Sequence, residues 1–189
     1  MMGWVDPIPR APGLHIGGLW ALYQPQLMAA ANITHVLSVI DFSLYTLNGS
    51  EDFLKAQNYT HMMIHIEDDP NENLLQHFEA MIQFIDRGLR EGTGVFVHCA
   101  MGKSRSAAAA VAYLMWKEDV DRDVALAWVC EGRPVCGPNL GFMEQLDVWS
   151  RMLKVDVGPE RREVYDTWKR GRFRGMAHEW EAREVKARL

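Results

Sequence analysis

The stretch Gly94-Val95-Phe96-Val97-His98-Cys99-Ala100-Met101-Gly102-Lys103-Ser104-Arg105-Ser106 changes character twice. Val95 to His98 is short, rich in β-branched and aromatic residues and bounded by glycine, so it reads as a central strand. From Ser104 to Lys117 the chain is alanine-rich (Ala107 to Ala110) and reads as a helix whose small side chains let it pack close to a sheet. A strand ending in His-Cys, a tight loop and a helix starting at Arg-Ser make an anion trap. Backbone N–H groups of Ala100, Met101, Gly102, Lys103, Ser104 and Arg105 can converge on one phosphate, and the helix N-terminus adds its dipole. Gly102 supplies backbone angles that a side chain forbids.

The same field favours thiolate over thiol at Cys99, which makes it a nucleophile at neutral pH. Arg105 can return to the loop mouth and hold two phosphoryl oxygens with its planar fork, a geometry lysine lacks. The Ser106 hydroxyl can donate to the Cys99 sulfur, and His98 suits orienting the loop from below better than moving protons. Alone, a cysteine after a strand is a small buried hydrophobe, and an arginine at a helix start is a surface charge. It is the fixed spacing of His, Cys, Gly, Arg and Ser that argues for chemistry. Gly102-Lys103-Ser104 also invites a nucleotide-binding reading, but that motif needs glycine at position 97, which is Val97.

Outward from this unit, strands alternate with helices. Leu14 to Ile16 is a short strand closed by Gly17-Gly18, Gln24 to Ala31 a short helix, and Thr34 to Ile40 a buried strand. Thr60 to Ile66 is another strand, ended by the acidic segment Glu67 to Asn73. Leu74, Phe78, Met81, Ile85 and Leu89 recur at helical steps and stop at Gly92-Thr93-Gly94. Asp121 caps a helix through Val129, and Asn139 to Met152 is the last helix of the main unit. The pattern predicts an α/β layered domain over 1–155, with a mixed, mostly parallel sheet flanked by helices. Beyond it, 156–189 is a basic extension with nine Lys/Arg against six Asp/Glu from Glu160 on. It reads as helices over Arg161 to Trp168 and His178 to Leu189, with Trp168, Phe173 and Trp180 docking on the domain.

Composition excludes several classes. A net charge of −5 over 189 residues argues against wholesale nucleic-acid binding. No apolar run approaches the roughly 20 residues that span a bilayer, and the proline-rich start does not resemble a secretory signal. Three cysteines without a CxxC pair supply no zinc site and fit the reducing cytoplasm or nucleus. Cys130, on an apolar helix face, reads as core, and neither it nor Cys136 is an obvious partner for an oxidised Cys99.

His98 to Ser106 resembles the HCxxGxxRS loop of the dual-specificity protein phosphatases, cysteine enzymes of the protein-tyrosine-phosphatase fold. The likeness extends through Pro12-Gly13-Leu14-His15-Ile16-Gly17, Ile33 to Leu37, Arg133-Pro134 and Pro138 to Phe142 with Gln145-Leu146. It implies a phosphocysteine intermediate hydrolysed by water, no metal or other cofactor, and phosphoproteins as substrates.

Such an enzyme needs an acid for the departing oxygen. By chemistry alone Glu67, Asp68, Asp69 and Glu72 all qualify. The family's hydrophobic-x-Asp pattern, about thirty residues before the cysteine, selects Asp68 through Ile66-Glu67-Asp68, with Asp69 as runner-up. Asn73 resembles an asparagine that braces this loop, or caps the following helix. Asn139 braces the phosphate loop, or caps its own helix.

Lys103 sits where inositide phosphatases of the superfamily place a loop lysine, which keeps a lipid-phosphatase reading in play. Asn73-Leu74-Leu75 and Tyr165 to Lys169 are most similar to the zinc-finger-containing dual-specificity phosphatase of ribosome assembly. That resemblance implies pre-ribosomal particles as partners through regions outside this chain, and an assembly role in which phosphatase activity is dispensable. The 189 residues carry no zinc-ligand set, which leaves two expectations: a truncated chain, or a different subfamily.

Overall fold

The computed structural model describes residues 4–42, 54 and 58–187. Its sheet has strands β1 (Asp6–Pro7), β2 (Leu14–Gly18), β3 (Ile33–Ile40), β4 (Thr60–His65) and β5 (Gly94–Cys99), in the order β1-β2-β5-β3-β4. β1 runs antiparallel to β2, and the other pairings are parallel, so the sheet is mixed and mostly parallel. Around it lie helices α1 (Pro25–Ala30), α2 (Phe78–Arg90), α3 (Arg105–Glu118), α4 (Arg122–Gly132) and α5 (Leu140–Leu153). The extension forms α6 (Pro159–Gly171) and α7 (Ala177–Ala187); the last two residues of the helix expected there lie outside the described residues.

Period-two alternation along β5 explains the layering. Val95 and Val97 face the larger core, with Phe78, Met81 and Ile85 of α2, Ala107 to Leu114 of α3 and Phe142, Leu146 and Trp149 of α5. Phe96 faces a smaller core on the other side, with Leu19, Leu22, Met28, Val36 and Ile40. The alanine run is buried throughout, so α3 lies flat against the sheet.

Residues 19–23 make a 3-10 turn that the sequence pattern did not single out, because it has no full apolar period. The helix expected from Leu74 likewise begins as a 3-10 turn over Leu75–His77. Cys130 is half-buried and packs against the edge of the larger core. No helix among the described residues is long and apolar enough to cross a membrane.

The parallel strands end on one edge. β5 delivers Cys99, β3 delivers Asp41, β4 delivers Glu67 and Asp68, and β2 ends at Gly17-Gly18 beside His98 and Cys99. This carboxyl edge is where open α/β sheets place ligands.

Candidate active site

The loop from Cys99 to Arg105 is defined by where its carbonyls go. Ala100 O accepts from Leu19 N at 3.1 Å. Met101 O and Gly102 O accept from the Arg133 guanidinium at 3.0 and 2.7 Å. Lys103 O accepts from Gly137 N, and Ser104 O from Ala108 N, both at 2.9 Å. The carbonyls from Ala100 to Ser104 are thus all engaged by groups outside the loop, which leaves N–H groups as what its backbone can offer the inside. Arg133 is itself buried and paired with Asp6 at 2.5 Å, so β1 and the end of α4 anchor the clamp. Gly102 sits at φ +65°, and a Cβ there would lie 2.2 Å from Gly17 C. The loop therefore rests directly on the end of β2, and only glycine fits.

Inside the loop, Cys99 Sγ receives the Gly102 N–H at 3.2 Å and lies 3.3 Å from Ser106 Oγ. One backbone donor expected to face a phosphate therefore points at the sulfur. Arg105 is buried, its Nη1 donating to Asp41 Oδ1 at 2.8 Å and to Ile66 O at 2.9 Å. Its Nε is buried with no partner among the described residues, a donor suited to an oxyanion. The Arg105 hydrogen bond holds Asp41 below the usual carboxylate range. Asp41 was not a sequence candidate; its position just past a buried strand, on the ligand edge, is the signal that points to it.

His98 is fully buried and stacks on Phe96, centroids 5.6 Å apart. Nδ1 lies 3.3 Å from Cys99 O and Nε2 2.6 Å from Ser38 Oγ, which in turn lies 2.9 Å from His61 Nε2. Burial pushes its pKa down to about 4, so the ring is neutral at physiological pH. It supports the loop from beneath. Burial also pushes the Cys136 thiol up to about 12.

The acidic candidates separate in space. Asp68 Oδ1 accepts from Ser104 Oγ at 2.6 Å and from Asn139 Nδ2 at 2.9 Å, so this carboxylate stands at the phosphate loop. Asp69 Oδ1 instead accepts from Asn71 N at 2.7 Å and closes a turn. Glu67 is exposed, and the Glu72 carbonyl accepts from Gln145 Nε2 at 2.8 Å. Buried Gln145 also takes the Leu75 N–H, clamping the far end of the acidic loop to α5.

Asn139 fills both expected roles. Its Oδ1 caps α5 through Phe142 N, its Nδ2 reaches Asp68, and its backbone N–H donates to Ser104 Oγ at 3.0 Å. Asn73 is on the capping side of its two expectations: Oδ1 accepts from Gln76 N at 3.4 Å and Nδ2 donates to Tyr165 OH at 2.8 Å. These bonds join it to the helix start and to the extension. The Lys103 and Met101 side chains are exposed. Sequence reasoning counted Ser104 for its backbone alone, and its hydroxyl turns out to join the two loops.

The dual specificity phosphatase catalytic-domain family matches residues 18–152. Over 143 residues the chain is 35% identical to dual specificity protein phosphatase 1 of Arabidopsis thaliana, covering 76% of this chain and 68% of that protein. Among solved structures, a mouse putative dual specificity phosphatase complexed with zinc tungstate superposes with a TM-score of 0.71 at 32% identity, covering 80% of this chain and 89% of that one. The Yvh1 phosphatase domain from Chaetomium thermophilum superposes with a TM-score of 0.68 at 36% identity, covering 78% and 96%.

Proposed function

This chain belongs to the dual-specificity phosphatases and is a protein phosphatase, and on that premise we propose how its residues divide the work. Cys99 attacks the phosphorus of a phosphotyrosyl, phosphoseryl or phosphothreonyl side chain. The P–S bond forms as the ester P–O bond breaks, and Asp68 gives its proton to the departing oxygen. The phosphoryl oxygens are held by the inward N–H groups of the loop and by Arg105. Asp68, now a carboxylate, takes a proton from water as that water attacks phosphorus. The P–S bond breaks, inorganic phosphate leaves, and the Gly102 N–H and Ser106 hydroxyl stabilise the released thiolate.

The observation that carries this reading is the loop whose carbonyls from Ala100 to Ser104 are engaged from outside, around a cysteine sulfur that receives the Gly102 N–H and lies 3.3 Å from the Ser106 hydroxyl. Cys99→Ser should abolish hydrolysis of a small aryl phosphate; turnover near that of the wild type would sink the mechanism. Asp68→Ala should lower kcat/KM by on the order of 100-fold for phenyl phosphate and only severalfold for p-nitrophenyl phosphate, whose leaving group needs less protonation. If Asp69→Ala shows that pattern instead, the acid is Asp69.

The exposed Lys103 supports a second reading, hydrolysis of phosphoinositides. The neutral Ala100 and Met101 weigh against it. Phosphotyrosyl peptide compared with soluble inositol phosphates as substrate separates the two. The sequence resemblance of Asn73-Leu74-Leu75 and Tyr165 to Lys169 to the ribosome-assembly phosphatase supports a further role at pre-ribosomal particles. Sedimentation of the protein with large-subunit precursors checks this, and recovery only in the free fraction overturns it.

A further inference from the structure

The extension lies past the residues matched by the family, yet it reaches back to the acidic loop. Asn71 Nδ2 donates to Gly175 O and Asn71 Oδ1 accepts from Gly175 N, both at 2.9 Å. The same Oδ1 accepts from Trp180 Nε1 at 3.3 Å. One side chain therefore meets the connection between α6 and α7 from both directions. Two residues earlier, Asp69 Oδ1 fixes the Asn71 N–H in a turn, and Asp68 precedes Asp69.

The connection itself is held firmly. Trp180 is 5% exposed and packs edge-on against Phe173 at 4.9 Å, with the Arg183 guanidinium 4.3 Å from the Phe173 ring centroid. Arg183 and Trp168 both reach Glu144 of α5, at 3.4 and 3.1 Å. The extension thus ties α5, which Asn139 caps, to Asn71, while Asn139 and Ser104 hold Asp68 from the opposite side. A close approach completes the frame: a Cβ on Gly141 would lie 1.9 Å from Pro70 O, so this loop lies directly on the first turn of α5.

We propose that Asn71, gripped by Gly175 and Trp180 of the extension, is a positioning residue that holds Asp68 where it can protonate the leaving oxygen. The inference rests on the reading of Asp68 as the acid. The tether acts by limiting the loop to one arrangement, and a proton donor works only within hydrogen-bond reach of the departing atom. The phosphate loop meets this segment through the Ser104 hydroxyl on Asp68 rather than through Asn71.

The experiment uses the full chain and compares kcat/KM for phenyl phosphate and p-nitrophenyl phosphate. Asn71→Ala should lose on the order of tenfold on phenyl phosphate and less than about twofold on p-nitrophenyl phosphate, a part of what the acid contributes. Trp180→Phe keeps the ring and removes the N–H, and should show the same pattern more weakly. In the Asp68→Ala background, Asn71→Ala should add no further loss. Equal losses on the two substrates, no loss, or full additivity with Asp68→Ala would overturn the proposal. If Asp68→Ala itself shows no leaving-group selectivity, the acid assignment is what has failed, and the tether falls with it.

Discussion

The two loops of the site are built on opposite principles. The loop after β5 is held by its backbone: its carbonyls are satisfied by Leu19, Arg133, Gly137 and Ala108, and its glycine sits against β2. The loop after β4 is held mainly by side chains from afar, Ser104, Asn139, Gln145 and the Asn71 tether. The first has its backbone pinned at each carbonyl from Ala100 to Ser104. The second is placed by side-chain contacts with partners brought to it by the fold.

Gly102→Ala attacks the backbone-built loop directly. The new methyl meets the Gly17 backbone at a positive φ, so the loop must shift and take its donors with it. We expect loss of on the order of 10³-fold in kcat/KM on both aryl phosphates alike, because substrate positioning and charge stabilisation fail together. A variant within tenfold of wild type would show this loop to be as adaptable as its neighbour.

Ser104→Ala tests the joint between the loops. It removes the hydroxyl that donates to Asp68 and accepts from Asn139 N, while the backbone donors stay. The expected loss is about tenfold on phenyl phosphate and little on p-nitrophenyl phosphate. An equal loss on both would place the serine with the loop after β5 rather than with the loop after β4.

The smallest effect concerns the floor. His98 is buried with its pKa lowered to about 4, so the unfolded chain takes up a proton near pH 6.5 that the folded chain refuses. Stability contributed by neutral His98 is full above about pH 6.5 and is lost as pH falls toward 4, by at most about 3 kcal/mol. Urea midpoints of wild type and His98→Asn at pH 7 and pH 5 check this. The variant should show the weaker pH dependence, and equal slopes would place the burden on other groups.

This contrast also explains what could be read in advance. Cys99, Gly102, Arg105 and Ser106 stand at fixed offsets between a strand and a helix, and so does the local chemistry they carry. The main strands and helices followed from period alone, because β5 and α2 bury one face or both. Asp41, the Ser104 hydroxyl and the Arg133 clamp depend on contacts across 31 to 64 positions. Spacing along the chain carries no trace of them. Glu67, Asp68, Asp69 and Glu72 were equal by chemistry and the family pattern favoured Asp68; the fold turns that carboxylate toward Ser104 and Asp69 into a turn.

The outward carbonyls have one more consequence. A cradle with its acceptors already engaged can offer a guest donors only. A phosphate ester that still carries its second proton brings an O–H the cradle's backbone cannot receive, so a phosphate seated there should be favoured as the dianion. Backbone direction would then filter protonation state before any side chain takes part.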